Sequence, residues 1–233
     1  MVTLLKVYIV RHGETAANKD GVIQGQLDTQ LNEEGIRQAG LLAERLKDVP
    51  FRVAFTSDLQ RAKKTAEIVL AHHPGVELQE RKELRERFMG SLQGTKLPSQ
   101  VRKAAMRNED SIETGDQMRE RAIAWWNEAI IPVAKQRLEE HGQGQTIEPL
   151  NVLAASHGGL ISIFTNAAVL EGLAEAAPGV GFGRCWNTAV SIIEVDENLK
   201  GRIVKYGDIS HLLQRQVNVV DANVDEVETD SAV

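Results

Sequence analysis

Short apolar runs rich in β-branched residues alternate with segments of helical period along most of this chain. That alternation limits the folds open to it. The first run, LKVYIV (5–10), is too short for a free-standing helix and reads as an interior strand. NEEGIRQAGLLAERLKD (32–48) follows, with Ile36, Ala39, Gly40, Ala43 and Leu46 on one helical face. RVAFT (52–56) is a second strand. SDLQRAKKTAEIVLA (57–71) then offers Ser57 and Gln60 as a capping box, with Leu59, Ala62, Ala66 and Val69 as its buried stripe. HPG (73–75) ends that helix, and VELQ (76–79) is a short third strand. NVLAA (151–155) is a fourth strand feeding straight into a helix, and AVSIIEV (189–195) and RIVKY (202–206) are late strands. Such alternation predicts an α/β fold with a mostly parallel sheet covered on both faces.

At 233 residues the chain suits one α/β domain, placed at 1–213. Residues 97–145 are more charged and helical in pattern, with Met118, Ala122, Trp125, Ala129 and Val133 on one face and a kink or break expected at Pro132. The segment at about 91–145 is read as a helical insertion forming a lid. From Gln216 onward there are five acidic residues and no Lys or Arg, so 214–233 is expected to be a flexible acidic tail. Leu150–Leu170 carries no formal charge, yet its Asn, Ser, His and Gly residues fit a buried strand, a tight turn and a packed helix better than a membrane span. The net charge of −6 argues against a nucleic-acid partner. A single Cys, Cys185, allows no internal disulfide and no Cys-rich zinc module. No signal peptide is evident, so the expected location is cytoplasmic. A homodimer is compatible with the sequence but not demanded by it.

Ligands of such sheets bind at the carboxyl ends of the strands. Three strand ends here carry chemically pointed residues: Arg11-His12-Gly13, Thr56-Ser57-Asp58 with Arg61 one turn on, and Ser156-His157-Gly158-Gly159. Two histidines and two arginines at one edge suit a doubly negative, oxygen-rich group such as phosphate. Gly13, Gly158 and Gly159 would let backbone N–H groups approach an anion, helped by the helix start near Gly158. Nearby arginines disfavour the imidazolium, leaving a His nitrogen free to attack phosphorus and later yield the phosphoryl group to water. Glu86, between Arg85 and Arg87, is the candidate proton donor to the leaving alkoxide. To be one it must stay protonated near neutrality, with the phosphate's charge outweighing the arginines.

RHGETAAN, SDLQRAKKTA, LRERFMGSLQG and ASHGG, in this order, closely resemble the histidine phosphatase superfamily, also called phosphoglycerate mutase-like. The resemblance spans about Val7 to Leu212 and is specific, because four separated motifs agree in order and spacing. It implies a three-layer α/β/α sandwich, no metal, no cofactor and a phosphohistidine intermediate. By position, His12 resembles the nucleophile; Arg11, Arg61 and His157 the phosphate pocket; and Glu86 the proton donor. Asn18, Gln24, Gly25 and Gly158 match substrate-contact positions. The paired arginines that mutases carry in the insertion are not evident, Arg102-Lys103 being the nearest candidate. LRERFMGSLQG followed by IETGDQMRERA looks more like the fructose-2,6-bisphosphatase-like, broad-specificity phosphatase branch, with Ile112 where that branch usually has Gly. The partner implied is a small phosphorylated metabolite.

Duller readings stand beside these. Taken singly, His12 is a strand-end histidine, Arg61 a solvated helix charge, His157 a hydrogen-bonded core residue and Glu86 a solvated acid. His72, His73, His141 and His211 read as structural. GSLQGTK (90–96) lacks phosphate-loop spacing. A serine hydrolase is the chemical rival: AASHG nearly matches a nucleophile elbow at Ser156, and Asp208 and His211 follow in order, but it leaves Arg11, His12 and Arg61 unused. A mutase-type phosphotransferase and a non-catalytic phospho-ligand binder also fit the same phosphate-binding residues.

Overall fold

The structure, a computed structural model, describes residues 2–141 and 148–213; the expected acidic tail at 214–233 lies outside the described residues. Strand β1 (Thr3–Arg11) is followed by α1 (Ala16–Asp20), α2 (Glu33–Leu46), β2 (Phe51–Thr56), α3 (Gln60–Leu70) and β3 (Leu78–Glu80). Next come α4 (Ser99–Arg107), α5 (Gly115–Trp125), a π turn over Trp126–Ile130 and α6 (Ile131–His141). The chain closes with β4 (Leu150–Ser156), α7 (Gly158–Leu170), β5 (Ala174–Ala176), β6 (Val190–Asp196), β7 (Gly201–Asp208) and α8 (Ser210–Leu213).

The seven strands form one sheet in the order β3-β2-β4-β1-β6-β7-β5. β1 pairs in parallel with β4, β2 with β4 and β3, and β5 with β7. Only β6 runs against its neighbours, so the sheet is mostly parallel, as the alternation predicts. Side chains on a strand alternate faces, and β1 feeds two cores accordingly. Leu5, Val7 and Ile9 pack with Phe55, Trp125, Trp126, Ile130 and Phe164, while Tyr8 and Val10 meet Leu42, Leu46, Phe51 and Val69. Helices thus cover both faces, giving the three-layer sandwich, and each such aliphatic side chain contributes about 2 kcal/mol by leaving water.

Three local features differ from the sequence reading. In α2 the buried residues are Gly35, Gln38, Ala39, Leu42, Ala43 and Leu46, whereas Ile36 is 49% exposed. The helix is turned because Gly35 packs directly on the backbone after β1, where an added Cβ would lie 2.0 Å from the Glu14 carbonyl oxygen, and because Gln38 accepts the Glu14 N–H at 3.0 Å. Polar satisfaction and backbone approach outrank burial of one isoleucine there. The Ser57–Gln60 capping box does not form: Leu59 is the N-cap, and the Gln60 N–H donates to Asp28 Oδ1 at 2.7 Å. The irregularity expected at Pro132 falls just before it: α6 runs through the proline, which lacks an N–H, and the α geometry is interrupted by the wide turn at Trp126–Ile130.

Residues 115–141 are core elements, with Trp125, Trp126 and Ala134 buried against the sheet. Residues 91–112 instead gather around a small separate cluster of Ile23, Met89 and Ile112. Leu150–Leu170 is β4 and α7, and among the described residues no helix is long and apolar enough to cross a membrane.

Candidate active site

The register of the three central parallel strands builds the site. Arg11 of β1 lies opposite Ser156 of β4, and Thr56 of β2 opposite Ala155. The residues just past these ends, His12, Ser57 and His157, therefore meet at one edge. The ladder runs on through His12 N–H to Ser156 O (3.0 Å) and Ser57 N–H to Ala155 O (2.9 Å). The two imidazole centroids are 5.1 Å apart and tilted by 60°.

His12 is 2% exposed, and its Nδ1 lies 2.7 Å from the Gly13 carbonyl oxygen. A carbonyl only accepts, so Nδ1 carries the proton and Nε2 keeps its lone pair. The Arg61 Nε–H donates to that Nε2 at 3.3 Å. Burial, then Arg61 and Arg11, hold the His12 pKa well below the ordinary imidazole value, opposed in part by the Gly13 hydrogen bond. The ring is a neutral base with an unprotonated nitrogen facing the arginine.

Arg61 is fully buried and fixed by two carbonyls, donating from Nη1 to Leu27 O and from Nη2 to Gly25 O, both at 2.7 Å. Gly25 holds φ +51°, in the left-handed region, and a Cβ there would lie 2.5 Å from Gln93 Oε1. Arg11 donates from Nη1 to Cys185 O at 2.6 Å, and its Nε is buried with no hydrogen-bond partner among the described residues. It makes no ion pair among them either. Its positive charge is thus buried against a carbonyl and not against a carboxylate, which suits it to an anionic ligand. His157 is fully buried, its Nε2 2.9 Å from Ser57 Oγ and its Nδ1 without a partner among the described residues. Its pKa too is held well below the ordinary value, by burial first and then by Arg61, His12, Arg121 and Arg11.

Glu86, 2% exposed, accepts the Arg87 N–H on Oε1 (2.9 Å) and the Gly159 N–H on Oε2 (3.0 Å). Its flanking arginines are also engaged with other groups. Arg85 forks onto Asp58 at 2.7 and 2.6 Å, and Arg87 Nε donates to Glu113 O at 2.7 Å. The loop itself is held by Arg121, whose guanidinium donates to the carbonyls of Glu83 (2.8 Å), Arg85 (2.7 Å) and Glu86 (3.0 Å) while forking onto Glu113.

The expectation that Gly13 and Gly159 offer free N–H groups to an anion is corrected. The Gly13 N–H donates to Thr65 Oγ1 at 3.0 Å, and that of Gly159 serves Glu86. Both glycines are required by approach instead, a Cβ on Gly13 lying 2.4 Å from Gly35 O and one on Gly159 2.4 Å from Glu86 Oε1. Gly158 opens α7 and is buried. Asn18 and Gln24 are fully buried beside the site: Thr15 gives its backbone N–H to Asn18 Oδ1 (3.2 Å) and its hydroxyl to Gln24 Oε1 (2.9 Å), and Asn187 Nδ2 bridges Asn18 Oδ1 (3.4 Å) and His12 O (3.0 Å).

The serine-hydrolase reading finds no triad. Ser156 Oγ donates to Leu84 O at 2.8 Å, His211 Nε2 meets Thr188 Oγ1 at 3.0 Å, and Asp208 pairs with Arg45 at 2.5 Å. Sequence reasoning passed over Asn187, gave Glu113 and Arg121 no role of their own within the IETGDQMRERA motif, and placed Ser57 at a strand end and as a helix cap without pairing it with His157. Nothing in their immediate neighbours marks them, since each acts through the folded backbone. Among the described residues no group of three or more His, Cys, Asp or Glu is disposed to hold a metal.

The sequence pattern of the histidine phosphatase superfamily (branch 1) matches residues 7–209. The chain is 30% identical over 217 residues to a probable phosphatase of Schizosaccharomyces pombe, covering 89% of this chain and 95% of that protein. It is 31% identical over 220 residues to a metal-independent phosphoserine phosphatase of Arabidopsis thaliana, covering 89% and 83%. Its backbone superposes on the crystal structure of phosphoglycerate mutase from Bacillus anthracis with a TM-score of 0.74 at 24% identity, covering 91% and 97% of the two chains.

Proposed function

The chain belongs to the histidine phosphatase superfamily, branch 1, and from that premise we propose that it hydrolyses phosphomonoesters of small metabolites, without a metal, through a phosphohistidine on His12. As a phosphoric monoester hydrolase it must break a P–O bond and hand the phosphoryl group to water. In this reading His12 Nε2 attacks phosphorus, the P–N bond forms as the ester P–O bond breaks, and Glu86 gives its proton to the departing alkoxide. Water then attacks the phosphohistidine, Glu86 takes up its proton, and Nε2 leaves as inorganic phosphate is released. Arg11, Arg61 and His157 hold the phosphoryl oxygens. Their charges and N–H groups offset the charge that a metal ion offsets elsewhere, and phosphoryl transfer depends mainly on such positioning.

The observation that carries the reading is the His12 ring: Nδ1 tied to Gly13 O at 2.7 Å, and Nε2 presented beside the Arg61 guanidinium at 3.3 Å. The substrate class we propose is sugar phosphates or bisphosphates, selected by residues 91–112 and by Asn18, Gln24, Gly25 and Gly158. The test is a rapid alkaline quench with labelled substrate, which preserves a phosphohistidine. Acid-labile phosphate on His12, phosphate release without a bisphosphorylated primer, and loss of turnover in His12→Ala are expected. Wild-type turnover in His12→Ala would overturn the mechanism, and release only with primer would make the protein a mutase.

A further inference from the structure

We propose that Ser57 fixes the tautomer of His157, donating its hydroxyl proton to Nε2 so that Nδ1–H becomes a neutral hydrogen-bond donor to the transferred phosphoryl group. The assignment rests on the phosphatase reading for its ligand, but the tautomer follows from hydrogen-bond accounting alone.

Ser57 Oγ is fully buried and has two neighbours among the described residues. It accepts the Leu59 N–H at 3.3 Å and lies 2.9 Å from His157 Nε2. A hydroxyl has one proton to give and two lone pairs. If His157 Nε2 carried hydrogen, both neighbours would be donors, and the Ser57 proton would be left buried without an acceptor. That arrangement forfeits a hydrogen bond in a dry site, at the full desolvation penalty of the stranded group. If Ser57 donates to Nε2, its proton and one lone pair are both used. The ring, kept neutral by burial and by Arg61, His12, Arg121 and Arg11, must then carry its single proton on Nδ1.

Nδ1 is the buried ring atom that lacks a partner among the described residues, as does Arg11 Nε. Two buried N–H donors thus lack a partner among those residues, and the ring that carries one of them lies 5.1 Å from that of His12, whose Nε2 accepts from Arg61. Donors alone complement phosphoryl oxygens, which only accept.

Long-range proton–nitrogen correlation spectra of the uniformly labelled full chain at pH 7 test this, with His157 assigned by its disappearance in His157→Gln. The expected result is a protonated, pyrrole-type Nδ1 and a bare Nε2, with Nδ1 shifting on addition of inorganic phosphate. A protonated Nε2, or protons on both nitrogens, would overturn the proposal. Ser57→Ala should weaken competitive inhibition by inorganic phosphate about tenfold, or 1.4 kcal/mol, while Ser57→Thr, which keeps the hydroxyl, stays within about threefold of wild type. Equal inhibition in Ser57→Ala and wild type would also overturn it. Should the acid-labile phosphate on His12 fail to appear while the tautomer stands, the phosphatase mechanism falls and the Ser57 assignment survives.

Discussion

Replacing Gly159 by alanine should separate folding from chemistry more cleanly than any other single change in this molecule. An added Cβ would sit 2.4 Å from Glu86 Oε1 and 3.1 Å from its Cδ. An ordinary contact needs about 3.4 Å or more, so the carboxyl group must retreat by about 1 Å. The tip of a glutamate can do so without moving backbone, which leaves the fold nearly undisturbed. The hydrogen bond from Gly159 N–H to Oε2, now 3.0 Å, is strained or lost with it. Displacing a catalytic group by about 1 Å typically costs on the order of 100-fold in rate, or about 2.7 kcal/mol at 1.36 kcal/mol per decade. If Glu86 protonates the leaving oxygen, the loss falls on substrates that need that proton. The assay is kcat with glycerol phosphate and with p-nitrophenyl phosphate, alongside urea unfolding. We expect a roughly 100-fold drop on the alkyl ester, a much smaller one on the nitrophenyl ester, and an unchanged unfolding midpoint. Equal losses on both substrates, or alkyl-ester activity within about threefold of wild type, would refute the assignment of Glu86 as acid.

Three further outcomes are expected. If His12 is the nucleophile, burial and the arginines that depress its pKa mean that protonation silences it only at low pH, so the acid limb of kcat/KM should lie clearly below the ordinary imidazole value of about 6.5; a limb at 6.5 would contradict it. Gly13→Ala places a Cβ 2.4 Å from the Gly35 carbonyl oxygen, backbone against backbone, and should cost about 3 kcal/mol in denaturant titration; a change under 1 kcal/mol would show that the two segments slide apart freely. Arg121→Ala strips the Glu83 and Arg85 carbonyls of their side-chain donor and breaks the ion pair with Glu113, while Glu86 O keeps Gln26 Nε2 and Glu113 Oε2 keeps the Phe88 N–H, and should destabilise by about 2–3 kcal/mol while lowering alkyl-ester turnover. Full stability with full activity would show that the Glu86 loop needs no such clamp.

The convergence of three strand ends on one edge was legible because residue type and position coincide there. Arg11-His12, Ser57 through Arg61, and Ser156-His157 stand at the ends of runs whose burial makes them strands, and parallel pairing does the rest. Glu86 was legible only through its resemblance to a family motif, since Arg85 and Arg87 beside it gave no sign that Asp58 and the Glu113 backbone would draw them off. The rotation of α2 was hidden because a hydrophobic stripe is read from side chains, whereas Gly35 is placed by the absence of one. β5 has three residues, too few for any period, and took its place through pairing with β7. Arg121 was hidden for a related reason: its partners are mainly carbonyl oxygens, which every residue has.

The pairing of Leu5 with Leu150, and of Phe51 with Asn151, has a consequence for how the molecule is made. The strand wedged between β1, which ends on Arg11, and β2, which leads into the α3 residue Arg61, is synthesised last of the three, after a long helical excursion. A ribosome-bound chain therefore holds His12 and Arg61 for many seconds with no partner strand to seat them. Competence for catalysis must arrive abruptly, when β4 slots between β1 and β2, and a truncation ending before Ser156 should have none of it.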